Sequence, residues 1–559
     1  MVLRNFIASF FFIFFFTIFS NYSFGQQIFL KLAADNENEK EKIILENIKL
    51  KKIHLNETTL YNEVEKISNY LKQIGFFENN EETIKKNDSL YIATFSLGKK
   101  TEYALIAIPK NFQLKSNQFP IKNDSLYIGV EYISDFLTIV SKDLDERGRL
   151  FSEVQLKNIR IKDNFLIADL SIKESEERKI NQIIVKPYSK FPKSFLKHYL
   201  NIKKTKILNQ QKLTKISEDT KSLKFVSEVK VPEVLFTKDS TLLYLYLKKE
   251  QNNSFDGLIN FATKENGGIL FNGHVDLKLN NILNTGESFE LFWNSIAEEV
   301  QDFKLATTIP YVFSSPLTTS LAFNIYKQDS TFLNTNFQSS ISYAITPKTN
   351  LFLSYNSESS NNLETNFSNE ISSFNTNFVG AGFNYQIRNQ NKLFEDLFYI
   401  KLSAEIGSRK TDAKKTSQIK LLFNASYIWQ LNYRNSIFIK NEASLLNSDS
   451  FLTNELFRIG GANSIRGFNE QSIFTSKYTY FNTEYRYLTS ETSYLFSITD
   501  FGTYTTSSEK SNFLIGIGLG YTFKSNNNIF KLSYAVGKNQ DDNFYVNKSK
   551  IIINWIINF

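Results

Sequence analysis

From Ser254 to Phe559 apolar and polar residues alternate with a period of two, and turn signals cut the segment into sixteen such runs. In the second run Phe271, Gly273, Val275, Leu277 and Leu279 alternate with Asn272, His274, Asp276, Lys278 and Asn280, so one face suits lipid and the other water. Sixteen strands of about ten residues each, with their turns, account for the length. The connections alternate too: Asn281 to Gly286, Ser314 to Pro316 and Thr346 to Lys348 read as short, whereas Asn356 to Ser373, Ser408 to Thr416 and Asn447 to Ser476 read as long. Short turns at one end and longer loops at the other are the pattern of a bacterial outer-membrane barrel. Pro310, Pro316 and Pro347 fall beside turns, where a sheet needs no donor. A soluble sandwich would also alternate, but it does not explain a last strand that sets Ile551, Ile553, Trp555, Ile557 and Phe559 on one face and ends on an aromatic residue. The expectation for residues 253–559 is a transmembrane β-barrel of 16 antiparallel strands.

Before residue 253 the pattern changes period and repeats. Asn87-Asp88-Ser89-Leu90-Tyr91-Ile92-Ala93, Lys162-Asp163-Asn164-Phe165-Leu166-Ile167-Ala168 and Lys238-Asp239-Ser240-Thr241-Leu242-Leu243-Tyr244 recur roughly every 75 residues, each an Asp/Asn/Ser turn between alternating runs. Upstream of each lies helical spacing: Leu60, Val64, Ile67 and Leu71; Phe136, Ile139, Val140 and Leu144; Leu213, Ile216, Thr220 and Leu223. The repeating unit is strand, helices, hairpin, clearest in the third copy, with a strand at Ile180 to Val185 and a short helix at Pro192 to Leu200. A further Asn-Asp-Ser-Leu-Tyr-Ile at Asn123 to Ile128 is out of phase and is set aside as coincidence. Three small α+β domains follow, at 26–98, 99–176 and 177–252; a tandem of unrelated α+β modules is the alternative.

The N-terminus changes the picture by locating the chain. Arg4 precedes an uncharged run from Phe6 to Phe19 that closes on Ser23 and Gly25, so residues 1–25 read as a signal peptide. Roughly 14 apolar residues fall short of the roughly 20 that a membrane helix requires. With no cysteine, disulfides, zinc-thiolate sites, a cysteine nucleophile and a lipoprotein anchor are excluded. His54, His198 and His274 lie far apart, and no metal or other cofactor is expected. Net charge is +8 and the pI about 9.0, but lysines and acids are interspersed, which argues against nucleic acid as a partner. Aromatic residues make up 15% of a chain whose mean hydropathy is only −0.28, as strands with one lipid-facing and one water-facing side require.

Before the twelfth run stands Arg458-Ile459-Gly460-Gly461-Ala462-Asn463-Ser464-Ile465-Arg466-Gly467-Phe468. With this segment the chain resembles the BamA/TamA superfamily of outer-membrane protein assembly factors, whose sixth external loop carries a (V/I)RG(F/Y) tip folded into the lumen. Asp256-Gly257 through Gly286-Glu287, Ile498-Thr499-Asp500-Phe501-Gly502 and the terminal Phe559 match as well, so the resemblance covers nearly the whole mature chain. The order and size of the N-terminal units resemble POTRA domains, the polypeptide-transport-associated modules of that superfamily. Total length and three POTRA-like domains lean towards the TamA-like branch.

The resemblance implies a lumen motif at Ile465, Arg466, Gly467 and Phe468, with Asp500 as the acidic partner of Arg466 and Glu484 as a second acid. A guanidinium inside a barrel needs such a carboxylate. Glu484 shares a face with Asn482 and Arg486, as a lumen acid should. Asp500 alternates with Tyr494, Phe496 and Ile498, so either a bulge or an apolar lumen patch is required there. Gly516, Gly518 and Gly520 form a stripe whose cost in strand stability suggests that another backbone, the folded loop, approaches it. Trp555, Ile557 and Phe559 stand as the C-terminal strand signal.

The function implied is an insertase of the bacterial outer membrane. Its periplasmic arm would capture unfolded outer-membrane client proteins and meet a periplasmic or inner-membrane partner, and its barrel would face outer-membrane lipid. The alternative is a two-partner-secretion pore exporting a dedicated protein, but three repeats, without a Pro-rich N-terminal plug, favour the first. A hydrolase on a barrel is the third reading. No Gly-x-Ser-x-Gly elbow and no histidine beside an acid supports it, so no enzymatic activity is expected.

Overall fold

The computed structural model describes residues 27–559 apart from 36–38, 88, 264–268, 297–299, 364–370, 390–392, 395, 506–510, 527 and 541–543. Residues 1–25, expected to be a signal peptide, and Asp88 of the first hairpin lie outside the described residues. No described helix is long and apolar enough to cross a membrane.

The first domain runs β1 (Ile28–Ala34), α1 (Glu39–Glu46), β2 (Ile53–His54), α2 (Glu57–Gln73), β3 (Asn80–Lys85) and β4 (Leu90–Ser96), with sheet order β2-β1-β4-β3. Asn56 starts α2 by accepting the Thr59 N–H at 2.9 Å. The four positions at helical spacing, Leu60, Val64, Ile67 and Leu71, are all buried against the core that includes Tyr91, Ala93 and Phe95. Gly75 stops the helix at φ +105°, with the Phe76 N–H reaching back to Leu71 O at 2.9 Å.

The second domain runs β5 (Tyr103–Ala107), β6 (Ser125–Gly129), α3 (Ile133–Glu146), β7 (Glu153–Lys162) and β8 (Phe165–Lys173), in the order β6-β5-β8-β7. Here the set-aside segment at Asn123 is a structural element. Asn123 and Asp124 have φ of 50° and 53°, Lys122 and Ser125 exchange two hydrogen bonds at 3.0 Å, and β6 follows as an edge strand. That is the two-residue left-handed turn that Asp163 and Asn164 (φ 51° and 64°) also make between β7 and β8.

The third domain, β9 (Gln182–Pro187), a short helical turn Phe195–Tyr199, α4 (Gln210–Lys221), β10 (Val226–Phe236) and β11 (Thr241–Lys249), has β11 between β10 and parallel β9. Its first strand lies two residues later than the spacing predicts. From Lys179 on, and apart from Ile207–Gln210, it forms one compact unit with the barrel. Tyr188 Oη donates to Asn284 Oδ1 at 2.8 Å, Phe195 meets Tyr311 edge-on at 4.9 Å, and His198 Nε2 lies 2.8 Å from Ser314 O. The turns at 281–287 and 310–316 therefore mark the domain-side end of the barrel.

The barrel is closed and has sixteen antiparallel strands. They are β12 (Ser254–Thr263), β13 (Ile269–Asn280), β14 (Ser288–Ile296), β15 (Val300–Ile309), β16 (Leu317–Gln328), β17 (Phe332–Thr346), β18 (Thr349–Asn362), β19 (Phe374–Arg388), β20 (Asp396–Lys410), β21 (Lys415–Gln430) and β22 (Asn435–Ser448). After the lumen hairpin β23 (Phe457–Ile459) and β24 (Ile473–Thr475) come β25 (Lys477–Ser490), β26 (Ser493–Thr505), β27 (Ser511–Ser525), β28 (Asn528–Asn539) and β29 (Lys550–Asn558). Ile341, Leu353, Val379, Ile406, Leu519 and Ile553 are exposed on the outer face, while inward residues such as Ser403, Glu405, Asn482 and Glu484 are buried.

One connection differs from its expectation. Ser408 to Thr416 is not a long loop: β20 and β21 extend to 15 and 16 residues and meet at a tight turn, with the Thr411 N–H on Lys414 O at 2.9 Å. The polar, basic run Arg409-Lys410-Thr411 reads as loop in the sequence, yet it continues a strand whose inward side is wet.

Strand pairing is uneven around the circle. Every neighbouring pair except one shares eight or more residue pairs, as β13 with β14 and β28 with β29 do. Among the described residues β12 and β29 share two, Ser254↔Asn558 and Phe255↔Ile557, supplemented by the Phe559 N–H on Asn253 O at 2.8 Å. Among the described residues the remaining length of β29 has no pairing with β12.

Candidate functional site: a loop clamped in the barrel lumen

The connection between β22 and β25 turns back into the lumen as the hairpin β23–β24, paired at Phe457↔Thr475, Arg458↔Phe474 and Ile459↔Ile473. Its tip is shaped by local bonds. The Gly461 N–H reaches Ile465 O at 3.1 Å, the Gly460 N–H reaches Ser464 Oγ at 3.1 Å, and Asn482 Nδ2 on β25 holds Ser464 O at 2.7 Å. The serine of the Gly-Gly-x-x-Ser-x-Arg-Gly-Phe spacing is thus the side chain that closes the turn presenting Arg466.

Arg466 is 5% exposed and Asp500 is fully buried. Arg466 Nε donates to Asp500 Oδ2 at 2.8 Å and Nη2 to Oδ1 at 2.6 Å, and the Arg466 backbone N–H adds a bond to Oδ2 at 2.9 Å. Arg466 Nη1 donates to Glu484, whose other oxygen accepts Arg486 Nε at 2.8 Å and Nη2 at 2.7 Å. Two guanidinium groups and two carboxylates therefore meet in one buried cluster. Every oxygen of Asp500 and Glu484 has a donor, the condition under which a buried ion pair is tolerated. The Arg486 guanidinium lies 4.1 Å from the Phe438 ring centre.

Tyr494, Phe496, Ile498 and Asp500 do share the lumen face of β26. No bulge separates them; the first three sink into an apolar lumen patch with Phe394, Ile428 and Ala535. Phe394 comes from the domain-side connection between β19 and β20, which supplies the cover that parity alone could not reveal.

The glycines divide by what occupies their missing side chains. A Cβ on Gly516 would overlap Arg466 O, so the loop backbone lies against this position. At Gly518 the space belongs to Tyr534 O of the neighbouring strand, and at Gly520 to the Phe496 ring. Two glycines that the stripe did not include also face the loop. Gly502 receives the Ile465 side chain, and a Cβ on Gly537 would lie 2.7 Å from Gly467 O and 2.8 Å from the Phe468 ring. Gly467, at φ +96°, in turn abuts the Gly537 backbone, so two strands of main chain touch with no side chain between them. Ile465 is fully buried with Ile459, Tyr478, Tyr480 and Leu514.

The stem of the loop carries a second set of contacts that sequence reasoning missed. Arg409 at the end of β20 pairs with Glu455, both almost fully buried, and holds Ser450 Oγ at 2.8 Å. Gln418 Nε2 donates to the other Glu455 oxygen at 2.9 Å. Asn454 bridges Ser360 Oγ at 2.7 Å and Ser372 O at 2.8 Å. Placing Arg409 in a loop hid its inward parity with Ser403 and Glu405. At the other terminus of the barrel, Trp555 stacks on Phe530 at 5.3 Å, Ile557 forms a seam pair with Phe255, and Phe559 caps the seam through its backbone. Among the described residues no group of three or more His, Asp or Glu side chains could hold a metal.

No protein-family model and no curated protein matches the chain. Solved structures do. CdiB from Escherichia coli aligns at a TM-score of 0.53 with 14% identity, over 90% of this chain and 97% of that one. CdiB from Acinetobacter baumannii aligns at 0.51 with 14% identity, over 77% and 82%. BamA from Haemophilus ducreyi lacking POTRA domains 1–3 aligns at 0.45 with 14% identity, over 78% and 94%, a score too low to add to the argument. The two CdiB structures share the fold of this chain: a sixteen-stranded barrel with small α+β domains before it.

Proposed function

Starting from that shared fold, we propose that the chain is an insertase of the bacterial outer membrane. Its N-terminal domains extend into the periplasm, where they receive unfolded barrel proteins and meet a periplasmic or inner-membrane partner. Its barrel delivers the clients to outer-membrane lipid. The observation that carries this reading is the seam: β12 and β29 share two residue pairs where other neighbours share eight or more. Unpaired strand edge is a template for another extended chain, and a seam this short costs little to open. Opening exposes two edges to a client strand at membrane depth, where an unsatisfied backbone group is expensive and pairing is strongly favoured.

In this reading no bond of the client is made or broken, and the chain has no enzymatic step. The competing reading is export of a dedicated protein through the lumen. It requires the loop to leave the lumen, against the buried Arg466 cluster and the Gly467–Gly537 contact. Reconstitution into liposomes with an unfolded barrel client tests the choice. Accumulation of folded, heat-modifiable client in the bilayer is the expected result. A client delivered soluble into the vesicle interior would overturn it.

A further inference from the structure

The lumen loop touches the barrel wall on both flanks of the seam. On one flank its tip lies against β25 to β28: Arg466 on Asp500 and Glu484, and Gly467 on Gly537 of β28, the strand next to last. On the other flank its stem reaches β15 and β16. Gln471 Nε2 donates to Asp302 Oδ2 at 3.0 Å, and the Arg458 guanidinium lies 3.4 Å from the centre of the Tyr326 ring. Asp302 and Tyr326 are direct cross-strand partners, so two loop residues grip one spot of the wall.

The short way round the wall from β28 to β15 passes through β29, the two-pair seam, β12, β13 and β14. The loop is therefore a chord across the lumen that joins the two flanks. It is stiff: Arg458 is held in a two-stranded hairpin against Phe474, and the Gln471 N–H is tied to Gly460 O at 3.2 Å. A chord of fixed length opposes any motion that separates its ends, and opening the seam is such a motion.

We propose that Asp302 and Tyr326, gripping Gln471 and Arg458, make the loop a latch that keeps the seam shut. The latch has two unequal ends. The tip is held by a buried charge cluster and a backbone-to-backbone contact, and the stem is tied to β17, β18 and β20 through Asn454 and the buried Arg409–Glu455 pair, whereas the grip on β15 and β16 is one hydrogen bond and one cation–π contact, worth less than a desolvated ion pair. Release therefore happens at Asp302 and Tyr326, and the loop stays with the wall from β17 to β28 while the β12–β16 flank swings free. This rests on the seam reading of the preceding section but not on the nature of the client.

The test uses the purified full chain in a planar bilayer without any client, recording the frequency of conductance openings. Arg458→Ala with Gln471→Ala should raise that frequency by about tenfold, the factor that loss of about 1.4 kcal/mol of closed-state preference produces. The chain has no cysteine, so Phe255→Cys with Ile557→Cys can place one disulfide across the seam. Adding that disulfide to the latch variant should return openings to the wild-type frequency until a reductant is supplied. Wild-type opening frequency in a latch variant with native heat-modifiable migration would overturn the proposal. So would raised openings that persist with the seam disulfide closed. If the loop variant does not fold, Asp302→Asn with Tyr326→Leu, which leaves the loop intact, must give the same increase. Since no client is present, the outcome is independent of whether the chain inserts or exports proteins.

Discussion

Arg466 meets Asp500 through three hydrogen bonds at 2.6 to 2.9 Å, two from the guanidinium and one from its own backbone N–H. The carboxylate thus fixes both the charge and the main chain of the tip. Removing one partner of such a buried pair costs about 3–5 kcal/mol, largely because the other charge is stranded. Arg466→Ala and Asp500→Ala should each make the loop accessible to protease, and the double variant should be much less than additive. Asp500→Ala should be the milder in one respect, because Arg466 keeps Glu484. Strictly additive protease and heat-stability defects would contradict the pairing.

The glycines predict a separation of effects. Gly537→Leu places a side chain where Gly467 O and the Phe468 ring now lie, so it should expel the tip while the wall stays folded. Gly518→Leu meets Tyr534 O within the sheet and should instead weaken the wall between β27 and β28. Limited proteolysis of the loop, set beside the heat-modifiable shift of the whole barrel, distinguishes them. A loop still protected in Gly537→Leu would show that the close approach does not hold it.

The third domain carries a pH signature outside the barrel strands. Burial pushes the Tyr199 phenol up to about 12 from its ordinary 10.0. The folded state then keeps a proton that the unfolded state loses, so stability is full below pH 10.0 and falls as pH rises towards about 12. The contribution at stake is about 2–3 kcal/mol. Urea unfolding followed across this window should steepen with pH in the wild type and flatten in Tyr199→Phe, and identical slopes in the two would contradict the assignment.

The docking of that domain is equally specific. Gly286 has the Phe195 ring where its Cβ would be, and Phe195 packs edge-on against Tyr311. Gly286→Val should therefore loosen the domain from the first turns of the barrel and raise the protease sensitivity of the segment around Phe195, with barrel heat-modifiability unchanged. Protection equal to the wild type would show that this contact does not seat the domain.

Much of this arrangement was legible in residue patterns. Period-two alternation marks barrel strands because each must satisfy lipid and water on opposite faces, and helical spacing at Leu60 to Leu71 marks a face that the structure buries. The partnership of Arg466 with Asp500 and Glu484 came from resemblance to a superfamily motif, since no local rule links residues so far apart. What escaped was whatever depends on a neighbour outside the segment. Arg409 looked like a loop charge until β20 extended to carry it inward to Glu455. Gly537 sits alone in its strand, and only the approach of Gly467 makes its missing side chain meaningful. The Asn123-Asp124 turn stands out of phase with the repeat, and its residue types favour the positive φ that both residues adopt.

On the proposed function, clients are assembled at an opening between β12 and β29. Joining Phe255→Cys to Ile557→Cys in this cysteine-free chain locks the one place where the wall is held by two residue pairs. Measured in liposomes, assembly of an unfolded barrel client should stop when the disulfide is closed and recover on addition of a reductant, with each single cysteine variant remaining active throughout. Full client assembly with the seam disulfide demonstrably closed would contradict the account.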